Sequence, residues 1–587
     1  MSLPATELPG GDVVSVVDER ASVGRIVGRE LVDAGIRDMF CIPGDFTMQL
    51  SREWLAVSGL SLRTLSHEYG VMLAAIGNAL AAGRPAAACF TYGVGLMNAA
   101  NGIAQAYVER VPVVVISGAP GARERGDHVF PHHTIVDHGT QSRVMRELTV
   151  HQEIVTDPRD AAVQVARAVA VARDASRPVY VEVPRDLYSE EVPYRPAHRE
   201  AVRTAGGTPD ERVAARAAAR AALALSRAAR APVFVPGLEI KRFGLVGEAR
   251  ALVERLALDW VASPMSRQVL DPTVPGYRGV YAGPASPSAG AWECVETSDC
   301  LWVIGEPNSD VNMGVAGRVP ADALIHAHDG RVSVAGERFA VGTAAFVDAL
   351  VESIVADGAA PVPAPRPAPA PARQGDPAPA CDRAAPLTPD AFVAAMRRYF
   401  ERDPSRVLVA DCGDAFFMSL GMEPRDVLTS SLYMSMGIGV PGAIGWQLGG
   451  AGRPVVLVGD GAFQMTGLEL MHARRFGASP IVIVLNNRRW TSLSSHPDDA
   501  PLTTLPATDF MHMAAYLGVQ GSRADTVGDL ERLLAWADTL DEPVLIDARF
   551  APDARSTLCE RFFGAVGAQY HLSPPRAHRA GGPNTEA

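Results

Sequence analysis

The stretch that most constrains the fold of this chain spans residues 459–487. An apolar segment, Val455–Val458, leads into Gly459-Asp460-Gly461, and a second apolar segment ends on the amide pair Asn486-Asn487. This pattern predicts two neighbouring parallel strands joined by a helix, with an oxygen-bearing side chain at the end of each strand. Open α/β sheets bind ligands at that edge, so we expect a parallel-sheet domain with a binding site at Asp460.

The side chains at this edge favour a metal-bridged diphosphate as the ligand. The carboxylate of Asp460 and the amide carbonyl of Asn487 are hard oxygen donors that suit Mg²⁺ or Ca²⁺. The glycines beside Asp460 let the backbone approach a ligand closely, and the next helix offers free N–H groups to a phosphate. A plain turn and a strand-end loop are the alternative, but the 27-residue spacing between acid and amide argues against it.

Length and composition limit the remaining possibilities. A chain of 587 residues exceeds what one hydrophobic core can hold, so we expect about three domains. Its 48% apolar and 20% charged residues are typical of globular proteins. The net charge of −12, without a concentrated basic tract, argues against nucleic acid or an anionic membrane as a partner.

The expected location is the cytoplasm. The first 17 residues lack the pattern of a signal peptide, and no apolar run approaches the roughly 20 residues that cross a bilayer. The seven cysteines are scattered and form no C-x-x-C pair, as expected of reduced thiols.

Alternating strand and helix patterns predict an α/β fold with three doubly wound parallel-sheet domains. Eight prolines between Asp357 and Ala380 predict an extended spacer before the third domain, with a recognition segment as the alternative. The expected boundaries are 18–195 for the first domain, 210–355 for the middle domain, 356–384 for the Pro/Ala-rich linker and 385–560 for the third domain.

The Gly-Asp-Gly element, its spacer and the Asn-Asn pair resemble the cofactor motif of thiamine diphosphate (ThDP) enzymes. The resemblance implies that the first domain binds the pyrimidine ring of the coenzyme and that the third domain binds its diphosphate. It also implies that Asp460, Asn487 and the backbone carbonyl of Arg489 hold a Mg²⁺ ion. The other coenzyme-binding residues that it implies around the diphosphate are Gly413, Asp414, Gly459, Gly461 and Ala462.

Two more elements match positions with defined roles in that family. Glu68 precedes an Ala/Gly-rich helix and resembles the activating glutamate, whose carboxyl shares a proton with the pyrimidine ring. Met434-Ser435-Met436 stands before a glycine-rich helix. The resemblance makes Met436 the apolar wedge beneath the bent coenzyme and the Met434 carbonyl an acceptor for the coenzyme's amino group. A helix-start acid and a core methionine are the alternatives.

Motifs in the first domain indicate which branch of the family the chain resembles. Pro43-Gly44-Asp45-Phe46 and His132-His133 resemble the loop and the histidine pair of pyruvate, indolepyruvate and phenylpyruvate decarboxylases. Imidazoles beside a carboxylate suit proton transfer to a carbanion, so Asp45, His132 and His133 are candidate catalytic residues. A metal site formed by this pair with His128 and His138 is the alternative, although the spacing matches no standard zinc pattern.

One position departs from the pyruvate decarboxylase pattern. Six residues after Asn487, where those enzymes have a catalytic glutamate, this chain has Leu493. Leucine there resembles the phenylpyruvate decarboxylase branch, in which an acid from a Ser-Asp-x-Asn element of the middle domain has been assigned to a similar neighbourhood. Residues 309–312 fit that element, so Asp310 is a candidate substitute acid, with strand-end capping as the alternative.

The resemblance implies a homodimer or homotetramer with active sites between subunits. It also implies non-oxidative decarboxylation of a 2-oxo acid to an aldehyde and CO₂, through an ylide and an enamine of the coenzyme. Longer strings, such as Gly459–Gly467, look like segments of phenylpyruvate and indolepyruvate decarboxylases and favour an aromatic or bulky substrate.

Three other functions stay open. A carboligase that joins the same intermediate to a second carbonyl compound would tolerate Leu493, because the loss of an acid slows aldehyde release. An activity like that of acetohydroxyacid synthase fits the histidine pair and the Pro-Gly-Asp-Phe loop poorly. A catalytically silent scaffold would keep the fold, but the match at every coenzyme-binding position argues against it.

Overall fold

The computed structural model of the chain describes residues 19–126, 129–197, 208–313, 320–356, 382–493 and 497–569. Within these ranges the chain forms three large β-sheets covered by helices and one two-stranded sheet. The expected α/β fold with three doubly wound domains is confirmed. Most of the proline-rich linker, from residue 357 to residue 381, lies outside the described residues, as does His128.

The first domain holds eight strands and six helices. The strands are β1 (Glu19–Ser22), β2 (Asp38–Cys41), β3 (Ser61–Thr64), β4 (Ala86–Phe90), β5 (Val113–Ala119), β6 (Gln152–Ile154), β7 (Val179–Pro184) and β8 (Glu191–Tyr194). The helices are α1 (Val23–Asp33), α2 (Met48–Leu55), α3 (Glu68–Ala82), α4 (Val94–Val108), α5 (Thr140–Leu148) and α6 (Ala161–Ala175). Six strands form a parallel sheet in the order β3-β2-β4-β5-β7-β6, and its central strands are buried along their whole length, which explains their unbroken apolar sequence.

The middle domain has a mixed sheet. Its strands are β9 (Pro232–Pro236), β10 (Asp259–Ala262), β11 (Tyr277–Val280), β12 (Cys300–Ile304), β13 (Leu324–His328), β14 (Arg331–Val334) and β15 (Glu337–Phe339). Its helices are α7 (Pro209–Ala228), α8 (Leu238–Arg242), α9 (Val246–Leu256), α10 (Ala289–Glu296) and α11 (Thr343–Ala356). The order is β11-β10-β9-β12-β13-β14-β15. The last two strands run antiparallel to their neighbours, because Asp329-Gly330 forms a two-residue hairpin turn with φ of 52° and 73°.

The third domain is again a parallel sheet. Its strands are β16 (Val407–Ala410), β17 (Asp426–Thr429), β18 (Pro454–Gly459), β19 (Ile481–Asn486), β20 (Gln520–Ala524) and β21 (Val544–Arg549). Its helices are α12 (Pro389–Arg402), α13 (Asp414–Leu420), α14 (Gly439–Leu448), α15 (Asp460–Thr466), α16 (Leu470–Phe476), α17 (Ala500–Thr503), α18 (Phe510–Leu517), α19 (Val527–Asp538) and α20 (Thr557–Gln569). The strand order is β17-β16-β18-β19-β21-β20.

The first and third sheets share one topology. When the parallel strands of each are numbered from one, both sheets read 2-1-3-4-6-5. Helices α3 and α14 occupy equivalent places and pack against each other at glycines. A Cβ atom on Gly77 would lie 2.1 Å from the Gly442 carbonyl oxygen, and one on Gly445 would lie 1.8 Å from the Ala74 carbonyl oxygen. One hydrophobic core therefore runs continuously through both domains.

The C-terminal helix extends past the expected end of the third domain. α20 continues to Gln569, and its Phe562 packs on Phe417 of α13 with ring centroids 5.0 Å apart. No helix within the described ranges combines the length and the apolar character needed to cross a membrane. The six cysteines in those ranges are unpaired thiols, and five of them are buried.

Candidate active site

A cleft opens at the carboxyl ends of β16, β18 and β19. All of its lining residues belong to the third domain. With the exception of Met434, every third-domain residue predicted to bind the coenzyme lines this cleft: Gly413, Asp414, Met436, Gly459, Asp460, Gly461, Ala462 and Asn487. The strand-end pattern in the sequence thus identified residues that share one cavity.

Asp460 begins α15 directly after β18 and is 3% exposed. Its two carboxylate oxygens accept hydrogen bonds from the backbone N–H groups of Gly461 (2.9 Å) and Arg488 (2.6 Å). Burial nevertheless raises the pKa of Asp460 to about 6. Within the described part of the chain no cationic side chain pairs with this carboxylate, so a bound cation would offset its burial.

Asn487 and Arg489 form a tight turn opposite Asp460. The Asn487 Oδ1 atom accepts from the Arg489 N–H at 3.1 Å, and the Arg489 carbonyl accepts from the Thr491 N–H at 2.9 Å. The guanidinium of Arg489 is paired with Asp553, and Arg489 is one of the residues that line the cleft. A carboxylate, an amide oxygen and a backbone carbonyl make an all-oxygen donor set, and that chemistry fits Mg²⁺.

The loop that follows β16 leads to Asp414, the first residue of α13. Its carboxylate accepts hydrogen bonds from the N–H (2.8 Å) and the hydroxyl (2.5 Å) of Ser556. The neighbouring Gly413 has a φ of 81°. The side chain that organises the loop is Asp411, which is buried and accepts from the N–H groups of Gly437 (2.9 Å) and Gly439 (2.7 Å). Asp411 thereby ties the end of β16 to the start of α14.

The Met434–Met436 segment approaches the cleft in an unusual backbone conformation. Met434 has a φ of 56°, in the left-handed region, and its N–H donates to the Ser430 hydroxyl at 3.1 Å. Met436 lines the cleft, whereas Met434 is not among the lining residues. The next residue, Gly437, has a φ of 104°, which a residue with a side chain would rarely adopt.

Glu68 is the first residue of α3 and is half-buried. Its Oε2 atom accepts a hydrogen bond from Asn98 Nδ2 at 2.7 Å. A Cβ atom on Gly95 would lie 3.4 Å from Oε1, so the small residue leaves room for the carboxylate. Glu68 therefore sits at the carboxyl edge of the first sheet with its orientation fixed by α4.

Asp45, His132 and His133 come together at that same edge. His132 Nε2 is hydrogen-bonded to Asp45 Oδ2, and the two imidazoles meet edge to face with centroids 4.5 Å apart. Both rings lie against Phe46. Partial burial alone would raise the pKa of Asp45, but the hydrogen bond to His132 and the nearby imidazoles lower it below its usual value. The three side chains form an acid–imidazole cluster that can relay protons.

Thr91 connects this cluster to Glu68. Its hydroxyl donates to Asp45 Oδ1 at 3.3 Å, and it packs against Gly95, which in turn faces Glu68. The ligand atoms of Asp45, His132 and His133 also lie within 4.8 Å of one another, so the metal interpretation of the histidine pair stays geometrically open. The larger four-histidine version includes His128, which lies outside the described residues.

Asp310 and Leu493 lie apart from these two clusters. Asp310 is exposed, and its carboxylate accepts from the N–H of Val311 at 2.9 Å. Neither the cleft lining nor the acid–imidazole cluster includes it. The buried member of its element is Asn312, whose Oδ1 accepts from the Ser431 hydroxyl of the third domain at 2.9 Å. Leu493 is 65% exposed, four residues beyond Arg489.

Several residues that shape the site were not predicted from the sequence: Tyr69, Thr91, Asn98, Asp411 and Glu469. Asp411 had a usable signal, since it directly follows an apolar strand and stands two residues before Gly413. The others act through tertiary contacts. Glu469, for example, accepts from the Ser66 N–H at 3.0 Å across 403 residues of chain.

The comparisons with known proteins cover all three domains. Residues 21–142 match the description "Thiamine pyrophosphate enzyme, N-terminal TPP binding domain", residues 219–352 match its central domain, and residues 411–548 match its C-terminal TPP binding domain. The chain is 36% identical to an indole-3-pyruvate decarboxylase of Azospirillum brasilense over 86% of this chain and 91% of that protein. It belongs to the ThDP-dependent 2-oxo acid decarboxylases.

More distant relatives agree with this assignment. This chain is 29% identical to an alpha-keto-acid decarboxylase of Mycolicibacterium paratuberculosis, over 90% of this chain and 93% of the relative. It is 28% identical to pyruvate decarboxylase 2 of Oryza sativa subsp. japonica, over 80% and 78%. These matches confirm the predictions of ThDP as a cofactor and of 2-oxo acid decarboxylation as the reaction.

Proposed function

We propose that this decarboxylase converts an aromatic or bulky 2-oxo acid to an aldehyde and CO₂, with Mg²⁺ and ThDP held at a site completed between two chains. The observation that carries the proposal is the acid–imidazole cluster of Asp45, His132 and His133 beside Glu68. Anchoring a diphosphate needs no such cluster, whereas proton transfer to a carbanion does.

The third domain supplies the anchor. Asp460 and Asn487, with the carbonyl of Arg489, would hold Mg²⁺, and the backbone around Gly413 and Gly461 would approach the diphosphate. The absence of a side chain matters at residue 461, because a Cβ atom there would lie 2.4 Å from the Trp490 ring. Met436 would support the coenzyme from below, and the Met434 carbonyl would accept from its amino group.

The first domain supplies the proton chemistry. When bound, the coenzyme provides a carbon nucleophile and an electron sink for decarboxylation. Glu68, oriented by Asn98, would hold a proton at the coenzyme's ring nitrogen. His132 and His133 would protonate the substrate-derived carbon and stabilise a developing alkoxide, with Asp45 fixing the imidazole. Asp310 would contribute only after moving from its exposed position, and it is the weakest of the proposed catalytic residues.

The chemistry of the pocket supports the choice of substrate. A relative with 36% identity is named an indole-3-pyruvate decarboxylase, and indolepyruvate carries a large aromatic side chain. Beyond Trp490, the cleft is lined by the small residues Thr491 and Ser492. We therefore rank indolepyruvate and phenylpyruvate ahead of pyruvate.

A second copy of this chain would complete the site. The cleft contains no first-domain residue, and the Asp45 and His132 side chains remain 46% and 60% exposed in a single chain. Exposed apolar residues flank both places along the chain: Val129, Phe130, Ile135 and Val136 beside the histidines, and Met465 and Leu468 shortly after Asp460. We propose a homodimer, or a homotetramer built from two such dimers. We also propose a location in the cytoplasm, where the unpaired thiols would stay reduced.

The experiment is a comparison of kcat/KM for CO₂ release from phenylpyruvate, indolepyruvate, a branched 2-oxo acid and pyruvate, with ThDP and Mg²⁺ present. We expect the aromatic acids to be preferred, activity to vanish after treatment with a chelator, and Mg²⁺ to restore it. Glu68→Gln serves as the inactive control. A preference for pyruvate, or full activity without a divalent cation, would contradict the proposal.

Leu493 gives one specific reason to test carboligation as a second activity. A leucine cannot transfer a proton, so aldehyde release would depend on the histidines alone. Product analysis with one 2-oxo acid, with and without an added aldehyde, separates the two outcomes. We expect free aldehyde as the main product, and we expect Leu493→Glu to raise the ratio of aldehyde to acyloin. An unchanged ratio would show that Leu493 does not determine how the intermediate divides between aldehyde and acyloin.

A further inference from the structure

The first domain also reaches the coenzyme-binding segment of its own chain, through Tyr69. This tyrosine follows Glu68 at the start of α3 and is buried at the boundary with the third domain. Its hydroxyl donates to the carbonyl oxygen of Met436 at 2.8 Å and lies 2.5 Å from Ser435 Oγ. Asn101 Nδ2 donates to the same serine hydroxyl at 2.8 Å.

These contacts form a hydrogen-bond chain with one direction. A hydroxyl has one hydrogen to donate, and Tyr69 uses it on Met436. Ser435 must therefore donate to Tyr69, which leaves the serine oxygen free to accept from Asn101. Burial raises the pKa of the Tyr69 hydroxyl, so it remains a donor at neutral pH. Because every member is satisfied, the chain holds its backbone rigidly.

The segment that it holds needs such support. Met434 is in the left-handed region at a φ of 56°, a conformation that is unfavourable for a residue with a side chain. A conformation of that kind persists only where neighbouring groups fix it. The third domain fixes one side, since Asp411 accepts from the Gly437 N–H and the Cys412 thiol donates to the Ser435 carbonyl at 3.2 Å. Tyr69 fixes the other side, at the wedge residue.

The start of α3 is itself tied to the third domain on both sides of Glu68. Glu469 is 2% exposed and accepts from the Ser66 N–H at 3.0 Å, two residues before Glu68. Tyr69 makes its contacts one residue after Glu68. The tyrosine ring is part of the core shared by the first and third domains, so its hydroxyl has little freedom to choose another partner.

We propose that Tyr69 is a positioning residue that holds the segment from Met434 to Gly437 in the conformation that binds the coenzyme. The inference rests on the proposed function, which assigns this segment to ThDP. Tyr69 does not line the cleft, so it takes no part in the chemistry. The first domain then contributes two residues to the coenzyme site. Glu68 acts across the interface between chains, and Tyr69 acts within one chain.

The test compares Tyr69→Phe with Tyr399→Phe. The control tyrosine is also buried and donates from its hydroxyl to Asp538 at 2.6 Å, away from the cleft. Each variant loses one hydroxyl and keeps its ring, so the coenzyme-free proteins should lose similar thermal stability. We expect the Kd for ThDP, measured by titration calorimetry with saturating Mg²⁺, to rise about tenfold in Tyr69→Phe and to stay within twofold in Tyr399→Phe.

Ser435→Ala cuts the same hydrogen-bond chain from the third-domain side and should weaken ThDP binding in the same direction. At saturating ThDP, kcat should recover in both variants, because the segment is restored by the bound coenzyme. An unchanged Kd in Tyr69→Phe and in Ser435→Ala would overturn the inference. A wild-type protein that fails to bind ThDP at all would instead overturn the proposed function.

Discussion

The first and third domains have the same strand order but opposite chemistry at their strand ends. In the first domain these ends bear Glu68, Asp45 and the histidine pair, which are half-buried or exposed: Asp45 contacts His132, whereas Glu68 contacts Asn98. In the third domain they bear Asp411 and Asp460, which are buried and bound by backbone N–H groups. One topology thus carries partly exposed side-chain contacts in the first domain and buried, backbone-bound carboxylates in the third.

The difference follows from how each carboxylate is satisfied. Backbone N–H groups fix a carboxylate and hold it charged for a cation, although burial still raises the pKa of Asp460 to about 6. A carboxylate that meets an imidazole or an amide side chain keeps a partner that can exchange protons or move, as Asp45 does with His132. Changes in the first domain should therefore affect kcat, and changes in the third domain should affect coenzyme binding.

The largest effect should come from Glu68→Gln. Loss of a positioned acid lowers kcat by about 10²–10⁴-fold, while the Kd for ThDP should change less than about threefold, because the anchor lies in the other domain. Steady-state rates and calorimetric titration of the same preparation measure both quantities. A large loss of affinity with little loss of kcat would reverse the roles that we give to the two domains.

Asp460→Ala should give the opposite pattern. We expect the affinity for ThDP and Mg²⁺ to fall by about 100-fold or more, because the variant removes the charged metal ligand. Raising the concentrations of both should recover part of the activity. Equal ThDP affinities in this variant and the wild type would show that the cleft is not the anchor.

The burial of Asp460 should also appear in the stability of the metal-free protein. A carboxyl with a raised pKa in the folded state destabilises that state as pH rises from its unfolded pKa, near 4, through about 6. Asp460→Asn does not titrate there. The stability of the variant relative to wild type should therefore increase between pH 4 and pH 7, by about 1–3 kcal/mol, as measured by denaturant unfolding. A pH-independent difference would contradict the burial of an unpaired carboxylate.

The smallest effect should come from Asn98→Ala. This substitution removes the hydrogen bond to Glu68 Oε2 but leaves the carboxylate in place. We expect kcat to fall about three- to tenfold, with an unchanged Kd for ThDP and a shifted pH–rate profile. Asn98→Gln, which keeps an amide donor, should recover part of the rate. An unaltered pH profile would mean that Asn98 does not orient Glu68.

Sequence patterns located the residues of the third-domain cleft more directly than those of the acid–imidazole cluster. Asp460 and Asn487 could be found because parallel strands bring their ends together whatever the rest of the fold does. Asp45 and His132 are 87 residues apart, and only the resemblance to decarboxylases joined them before the structure did. The hydrogen-bond partner of Asp414 could not be predicted from the sequence, because Ser556 lies 142 residues later and no local sequence pattern indicates the contact.

We propose that one active site needs the first domain of one chain and the third domain of another. The most direct measurement mixes Glu68→Gln with Asp460→Ala, each inactive alone, under conditions that exchange subunits, with two tags to purify the mixed dimer. A mixed dimer contains one site with both residues intact, so a random mixture should recover about one quarter of wild-type activity. Purified mixed dimers without activity would show that each chain builds its own site, which would contradict an active site shared between chains.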